Sequence, residues 1–195
     1  MPPYSGKRLL MSQRSPVDQQ RIETFLRQLG GRFRGGGQVY LVGGTTMVWS
    51  GYRERTLDID LTYEMEPAME GDFLQTIREL KDELSINVEL ASPADFIPLP
   101  SGYRDRTEYV GRYGQLDVFH FDLYSTALSK IERGTEPDFE DVLALLRAQR
   151  IEWRQLERYF EEIIPQMGQR SLKQDPKAFQ AKFEALREKW SAQSE

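Results

Sequence analysis

The sequence predicts an α/β (α+β) fold: a mixed β-sheet flanked by helices, followed by a helical C-terminal part. Three observations carry this. Residues 57–63 and 86–90 alternate apolar and polar side chains with the period of a strand. Residues 15–29 and 68–84 repeat apolar side chains at helical spacing and interleave with those strands. From Leu123 onward every periodic stretch is helical. Residues 15–122 are therefore read as the core and 123–195 as helices packed on it, in a single compact unit. A chain of 195 residues suits this, because at that size roughly 70% of the unfolded surface is buried.

Taken in order, residues 15–29 form the first helix. Ser15 is the expected N-cap, Pro16 the first helical residue, and Gly30 the residue just past the end. Ile22, Phe25, Leu26 and Leu29 form its apolar face. Gly30 to Gly37 reads as a loop. Gln38 to Val42 is a strand, and Gly43-Gly44 turns it into a short helix from Thr45. Leu57, Ile59 and Leu61 then alternate with Asp58 and Asp60. Phe73, Ile77, Leu80 and Leu84 mark the next helix, and Ile86 to Leu90 the next strand. Residues 91–107 read as a loop. Tyr109–Tyr113 and Leu116–Phe121 pair as a hairpin across Gly114. Helices follow over 124–133, ending at Gly134, and over 136–149 behind Thr135. Another carries Trp153, Leu156, Phe160 and Ile163 and stops at Pro165, and the last starts at Asp175-Pro176.

Composition excludes several chemistries. There are no cysteines, so disulfides, zinc–thiolate sites and a cysteine nucleophile are out. His120 is the single histidine, which rules out multi-histidine metal sites. No apolar run reaches the roughly 20 residues that span a bilayer, and MPPYSGKRLLMSQRSP carries none of signal-peptide length. A cytoplasmic protein without membrane contact is expected. The net charge of -5 argues against a duplex-DNA binder. It hides an uneven distribution: residues 1–57 carry nine basic and three acidic residues, residues 60–100 two and ten. The basic and acidic segments meet at Asp58.

Asp58 and Asp60 lie one residue apart in a strand, so both point to one face, about 6.5–7 Å apart along the chain. Alternation alone accounts for such a pair, but two carboxylates so held also suit a hard cation such as Mg2+. Gly43 and Gly44, at a strand-to-helix turn, let backbone N–H groups approach a phosphate. A third carboxylate must come from the polar face of a neighbouring strand. Glu89 fits, and Asp117 competes with it.

Gly43-Gly44-Thr45, followed 14 residues after Gly44 by Asp58-Ile59-Asp60, resembles the glycine pair and Asp-x-Asp of the DNA polymerase beta-type nucleotidyltransferases. Arg55-Thr56-Leu57-Asp58-Ile59-Asp60-Leu61 is similar to the corresponding stretch of the AbiEii-like, toxin-type branch. So is the segment from His120 through Lys130 and Arg133 to Asp138 and Asp141-Val142. The resemblance spans residues 20–147. It implies a nucleotidyltransferase fold in which Asp58 and Asp60 bind Mg2+, Gly43 and Gly44 contact nucleotide phosphates, and Lys130 reaches the nucleotide. Many members have Ser where Gly44 stands; Thr45 is the substitute hydroxyl here.

Among the remaining charges, Arg53 and Arg55 flank the motif as phosphate ligands. Lys130 and Arg133 share one helix face. Asp138 reads as a helix cap, Asp141 as a partner of Lys130 or Arg133, and His120 as structural. Arg104, Arg106 and Arg112 with Tyr103, Tyr109 and Tyr113 form a loop and hairpin able to contact a nucleic-acid strand. Together these imply transfer of an NMP from an NTP to an acceptor hydroxyl on RNA or protein, in a toxin with an antitoxin partner. Asp58, Asp60 and Glu89 are the catalytic and metal residues; Gly43, Gly44, Thr45, Arg55, Lys130 and Arg133 hold the substrate. The alternative is a non-catalytic nucleotide-binding or interaction module on the same fold.

Overall fold

The computed structural model describes residues 15–169 and 174–193. It is a mixed α/β structure with one five-stranded sheet. The elements run α1 (Gln19–Arg32), β1 (Gly37–Leu41), α2 (Gly43–Trp49), β2 (Asp58–Glu64), α3 (Pro67–Glu83) and β3 (Asn87–Leu90). There follow β4 (Glu108–Tyr113), β5 (Leu116–His120), α4 (Leu123–Arg133), α5 (Glu136–Arg147), α6 (Trp153–Ile163) and α7 (Pro176–Ser191). The strand order is β3-β2-β1-β5-β4. β1 pairs antiparallel with β2 and parallel with β5, while β2–β3 is parallel and β4–β5 antiparallel.

Strand alternation divides the sheet into two unlike faces. Val39, Leu41, Ile59, Leu61, Val88 and Val118 join Phe25, Leu29 and Phe73 in one core beneath α1 and α3. Full burial of each such side chain contributes about 1.5–3 kcal/mol, which fixes the strand register. The same register turns Asp58, Asp60 and Glu89 to the opposite face. A second core, built from Leu128, Ile131, Val142, Leu146, Phe160 and Phe183, joins α4 to α7. Met47 of α2 belongs to it, so the helical part is packed on the sheet domain through α2. Among the described residues, no helix is long and apolar enough to cross a membrane.

Three local expectations need correction. The first helix starts at Gln19, with the Asp18 side chain accepting from the Arg21 N–H, because Val17 is held extended by two backbone hydrogen bonds with Thr56 (2.7 and 2.9 Å). That pairing keeps Ser15 and Pro16 out of the helix. Gly30 does not end it: the helix continues to Arg32, and Gly30 is the point where it meets the hairpin backbone. A Cβ there would lie 2.3 Å from the Tyr113 carbonyl oxygen. The segment 91–107 is not a bare loop. Two 3-10 turns, Pro93–Asp95 and Tyr103–Arg106, fold it over the polar face, where Tyr103 stacks on Phe121.

Candidate functional site

β2 carries the site. Leu61 is the first residue of β2 paired to β1, and Ile59 and Leu61 are locked in the core. The backbone of Asp60 is then tied to the start of α2: its carbonyl accepts from the Val42 N–H (3.1 Å) and its N–H donates to Thr45 Oγ1 (2.7 Å). Its side chain accepts from the Gly44 N–H (3.2 Å). Gly43 must be glycine, since its φ of +55° disfavours a side chain and a Cβ would lie 2.8 Å from Asp60 Oδ2. The glycine pair thus lets the backbone close on the carboxylate.

The parallel β2–β3 register sets Asp60 beside Glu89 and Asp58 beside Asn87. One oxygen from each of Asp58, Asp60 and Glu89 lies within 4.8 Å of the others. Asn87 Nδ2 donates to Asp58 (2.6 Å) and to Glu89 (3.1 Å), holding the two outer carboxylates in place. Burial pushes the Asp60 carboxyl up to about 6; the Gly44 N–H opposes this, Asp58 and Glu89 add to it, and Lys130 opposes it. Asp117 lies on β5, beyond β1, and pairs with Arg112 (3.7 Å), away from this group.

The carboxylates open onto a cavity of about 300 Å3 whose other wall is basic. Arg53, Lys130 and Arg133 line it, with Gly44, Thr56 and Leu57 at its edges. Leu57 is 72% exposed there and does not join the core face of β2. Lys130 is buried, and its ammonium donates to Asp141 (2.6 Å) and Asp138 (3.4 Å), which sit one turn apart on α5. Arg53 donates from one terminal nitrogen to both oxygens of Asp141 (2.8 Å each). Arg133 pairs with Asp138 through Nε (3.3 Å).

The structure brings Asp58, Asp60, Glu89, Gly44, Lys130 and Arg133 to one cavity, with Gly43 directly behind Asp60. Two expected ligands fall outside it. Thr45 is fully buried and its hydroxyl is spent on the Asp60 N–H, so it positions the strand. Arg55 is exposed on an adjoining surface with Asp18 and Glu54. Arg53 takes the place facing the cavity, because the N–H groups of Tyr52 and Arg53 both bond the Met47 carbonyl and curl the chain back over α2. Asp138 is the third residue of α5; Thr135 is the cap, and Asp138 spends its charge on Lys130 and Arg133.

The Arg/Tyr hairpin does not present free basic groups. Arg104 pairs with Glu64 (2.6 Å), Arg106 with Asp122 (2.9 Å) and Arg112 with Asp117 (3.7 Å). The Arg106–Asp122 pair fixes the start of α4, where Asp122 also accepts from the Tyr124 and Ser125 N–H groups. His120 is buried against Thr46, and burial holds its imidazole at about 4, hence neutral.

Residues 21–191 match the protein family described as nucleotidyltransferases of unknown function (DUF6036). The chain belongs to this family. No curated protein and no solved structure matches it. The family carries the general chemistry of this nucleotidyltransferase, movement of a nucleotidyl group from an NTP. It leaves the metal and the acceptor open.

Proposed function

We propose that this nucleotidyltransferase uses Mg2+ to move an NMP from an NTP to an acceptor hydroxyl at the cavity between β2 and α4. The observation that carries this is the grouping of Asp58, Asp60 and Glu89 opposite Arg53, Lys130 and Arg133. The donor set fits the metal: all three groups offer oxygen only, and their crowding and burial are relieved by a cation. Counting Asp138 and Asp141, five carboxylates stand against three cations. A triphosphate entering without a divalent ion meets net repulsion, so its binding depends on the metal.

Bound Mg2+ would neutralise phosphate charge between the carboxylates and the NTP. The chain's own residues do the rest. Gly44 and Thr45 hold the Asp60 backbone and carboxylate in place, and Asn87 holds Asp58 and Glu89. The basic wall orients the phosphates. Glu89, the most exposed of the three, takes the proton of the acceptor hydroxyl as its oxygen bonds the α-phosphorus. The bond from that phosphorus to the bridging oxygen breaks, and pyrophosphate leaves. Positioning and charge neutralisation supply most of the acceleration.

The finer AbiEii-like reading makes the chain a toxin acting on RNA or protein and held by an antitoxin. It is supported by the convergence on one cavity of residues from both stretches that carry the resemblance, 56–60 and 130–138. The test is incubation with α-phosphate-labelled NTPs, Mg2+ and cellular RNA or protein. Labelled product is expected from the wild type and none from Asp58→Ala/Asp60→Ala; equal labelling by both ends the proposal. NTP binding with no product over these acceptors favours the non-catalytic module. Growth arrest on expression, lost in Asp58→Ala, supports the toxin reading, and harmless expression of active enzyme opposes it.

A further inference from the structure

The resemblance makes Lys130 the residue that reaches the nucleotide. Its surroundings assign it another task. Lys130 as a residue is 3% exposed, and its ammonium donates to Asp138 and Asp141. Each of those carboxylates also holds one arginine, Asp141 holding Arg53 and Asp138 holding Arg133. The five groups form one chain of alternating charge, Arg53–Asp141–Lys130–Asp138–Arg133, with Lys130 at its centre. The two ends are open: the side chains of Arg53 and Arg133 are 31% and 47% exposed, and both line the cavity that holds the carboxylates.

Each arginine uses one nitrogen on its aspartate. Arg53 bonds through one terminal nitrogen, and its other terminal nitrogen lies 3.6 Å from the position a Cβ on Gly44 would take, on the cavity wall. Arg133 pairs through Nε and leans over Phe96. Among the described residues, the remaining N–H groups of both guanidiniums have no hydrogen-bond partner. A guanidinium anchored from behind and open in front is preorganised for bidentate contact with phosphate oxygens.

We infer that Arg53 and Arg133 are the two arms that grip the NTP triphosphate, and that buried Lys130 is a positioning residue setting the spacing between them. This rests on the nucleotidyl-transfer reading and specifies its substrate contacts. The phosphate contacts fall to the two arginines, and Lys130 does not touch the phosphates.

The test is calorimetric titration of the full chain with inorganic tripolyphosphate in Mg2+, a probe that needs no knowledge of the base. Arg53→Lys and Arg133→Lys keep the charge and the ion pair but lose the fork. Each is expected to weaken tripolyphosphate binding roughly tenfold or more, with unchanged Mg2+ affinity and melting temperature. Side-chain NMR of the unmutated chain gives a second readout: the Arg53 and Arg133 Nε–H signals move on adding tripolyphosphate, and the Lys130 ammonium signal does not. Wild-type affinity in both lysine variants, or a shift at Lys130 without one at the arginines, overturns the inference. A wild type that binds neither tripolyphosphate nor any NTP in Mg2+ instead overturns the nucleotidyl-transfer reading, and this one with it.

Discussion

Asp60→Asn is expected to stabilise the metal-free protein while abolishing transfer. The Asp60 carboxyl is raised from its ordinary 3.8 to about 6, chiefly by burial and further by Asp58 and Glu89. Its native pKa lies above its unfolded one, so the native state holds the proton more tightly. Ionisation therefore costs stability progressively as pH rises from about 4 to 6, and the full penalty stands above that. That rise from 3.8 to about 6 corresponds to ~3 kcal/mol. Because the cavity admits water, a gain of about 1.5–3 kcal/mol at pH 8 is expected for a side chain that never charges. Asparagine keeps an oxygen for the Gly44 N–H. The assay is chemical and thermal denaturation in EDTA from pH 4 to pH 8. The variant gains roughly 4–8 °C at pH 8, and the gap closes towards pH 4. Mg2+ reverses the order, because it stabilises the wild type by binding its folded state and the variant has lost a ligand. A variant less stable than wild type at pH 8, or a gap that does not change with pH, refutes the electrostatic account.

The glycines offer sharper steric tests. Gly30→Ala should cost ~2 kcal/mol or more in denaturant titration, because its Cβ meets the Tyr113 backbone at 2.3 Å. Gly31→Ala, with nothing within 4 Å, should instead stabilise by roughly 0.5–1 kcal/mol through helix propensity. Gly43→Ala forces a side chain into the left-handed region against Asp60 Oδ2, and should cost about 1–2 kcal/mol and weaken Mg2+ binding, read by titration calorimetry. Thr45→Val removes the hydroxyl that accepts from the Asp60 N–H, leaving that donor buried, and should cost ~1–3 kcal/mol in the same denaturation assay.

How much of this could be read from the sequence depends on whether a feature is local. The same-face pair Asp58/Asp60 follows from strand alternation alone, and the apolar partners Ile59 and Leu61 do enter the core. The caps at Thr135 and Asp175 and the stop at Gly134 are equally local, and the structure uses all three. Leu57 breaks the alternation because it precedes the strand, at the lip of the cavity. Ser15 reads as a cap only when the Val17–Thr56 pairing, 39 residues apart, is ignored.

The choices that decide the site are non-local, and each turns on one packing event. Glu89 and Asp117 both alternate correctly on their strands. The strand order sets them apart, since β3 lies beside β2 while β5 lies on the far side of β1. Arg53 and Arg55 differ by two positions in a segment with no periodicity, and the two N–H bonds to the Met47 carbonyl select which one faces the cavity. Lys130 poses the same problem in charge. A lysine on a helix face reads as a free cation until α5 folds back and sets two aspartates, one turn apart, against it. Burying a lone ammonium is prohibitive, so Asp138 and Asp141 are what allow Lys130 to be inside at all. Those same aspartates also hold Arg53 and Arg133, whose side chains are the more exposed cations of the cavity wall. The segment that resembles a nucleotide-binding lysine therefore carries its consequence one residue outward, and the basic wall is a product of the α4–α5 packing as much as of the residues named in the motif.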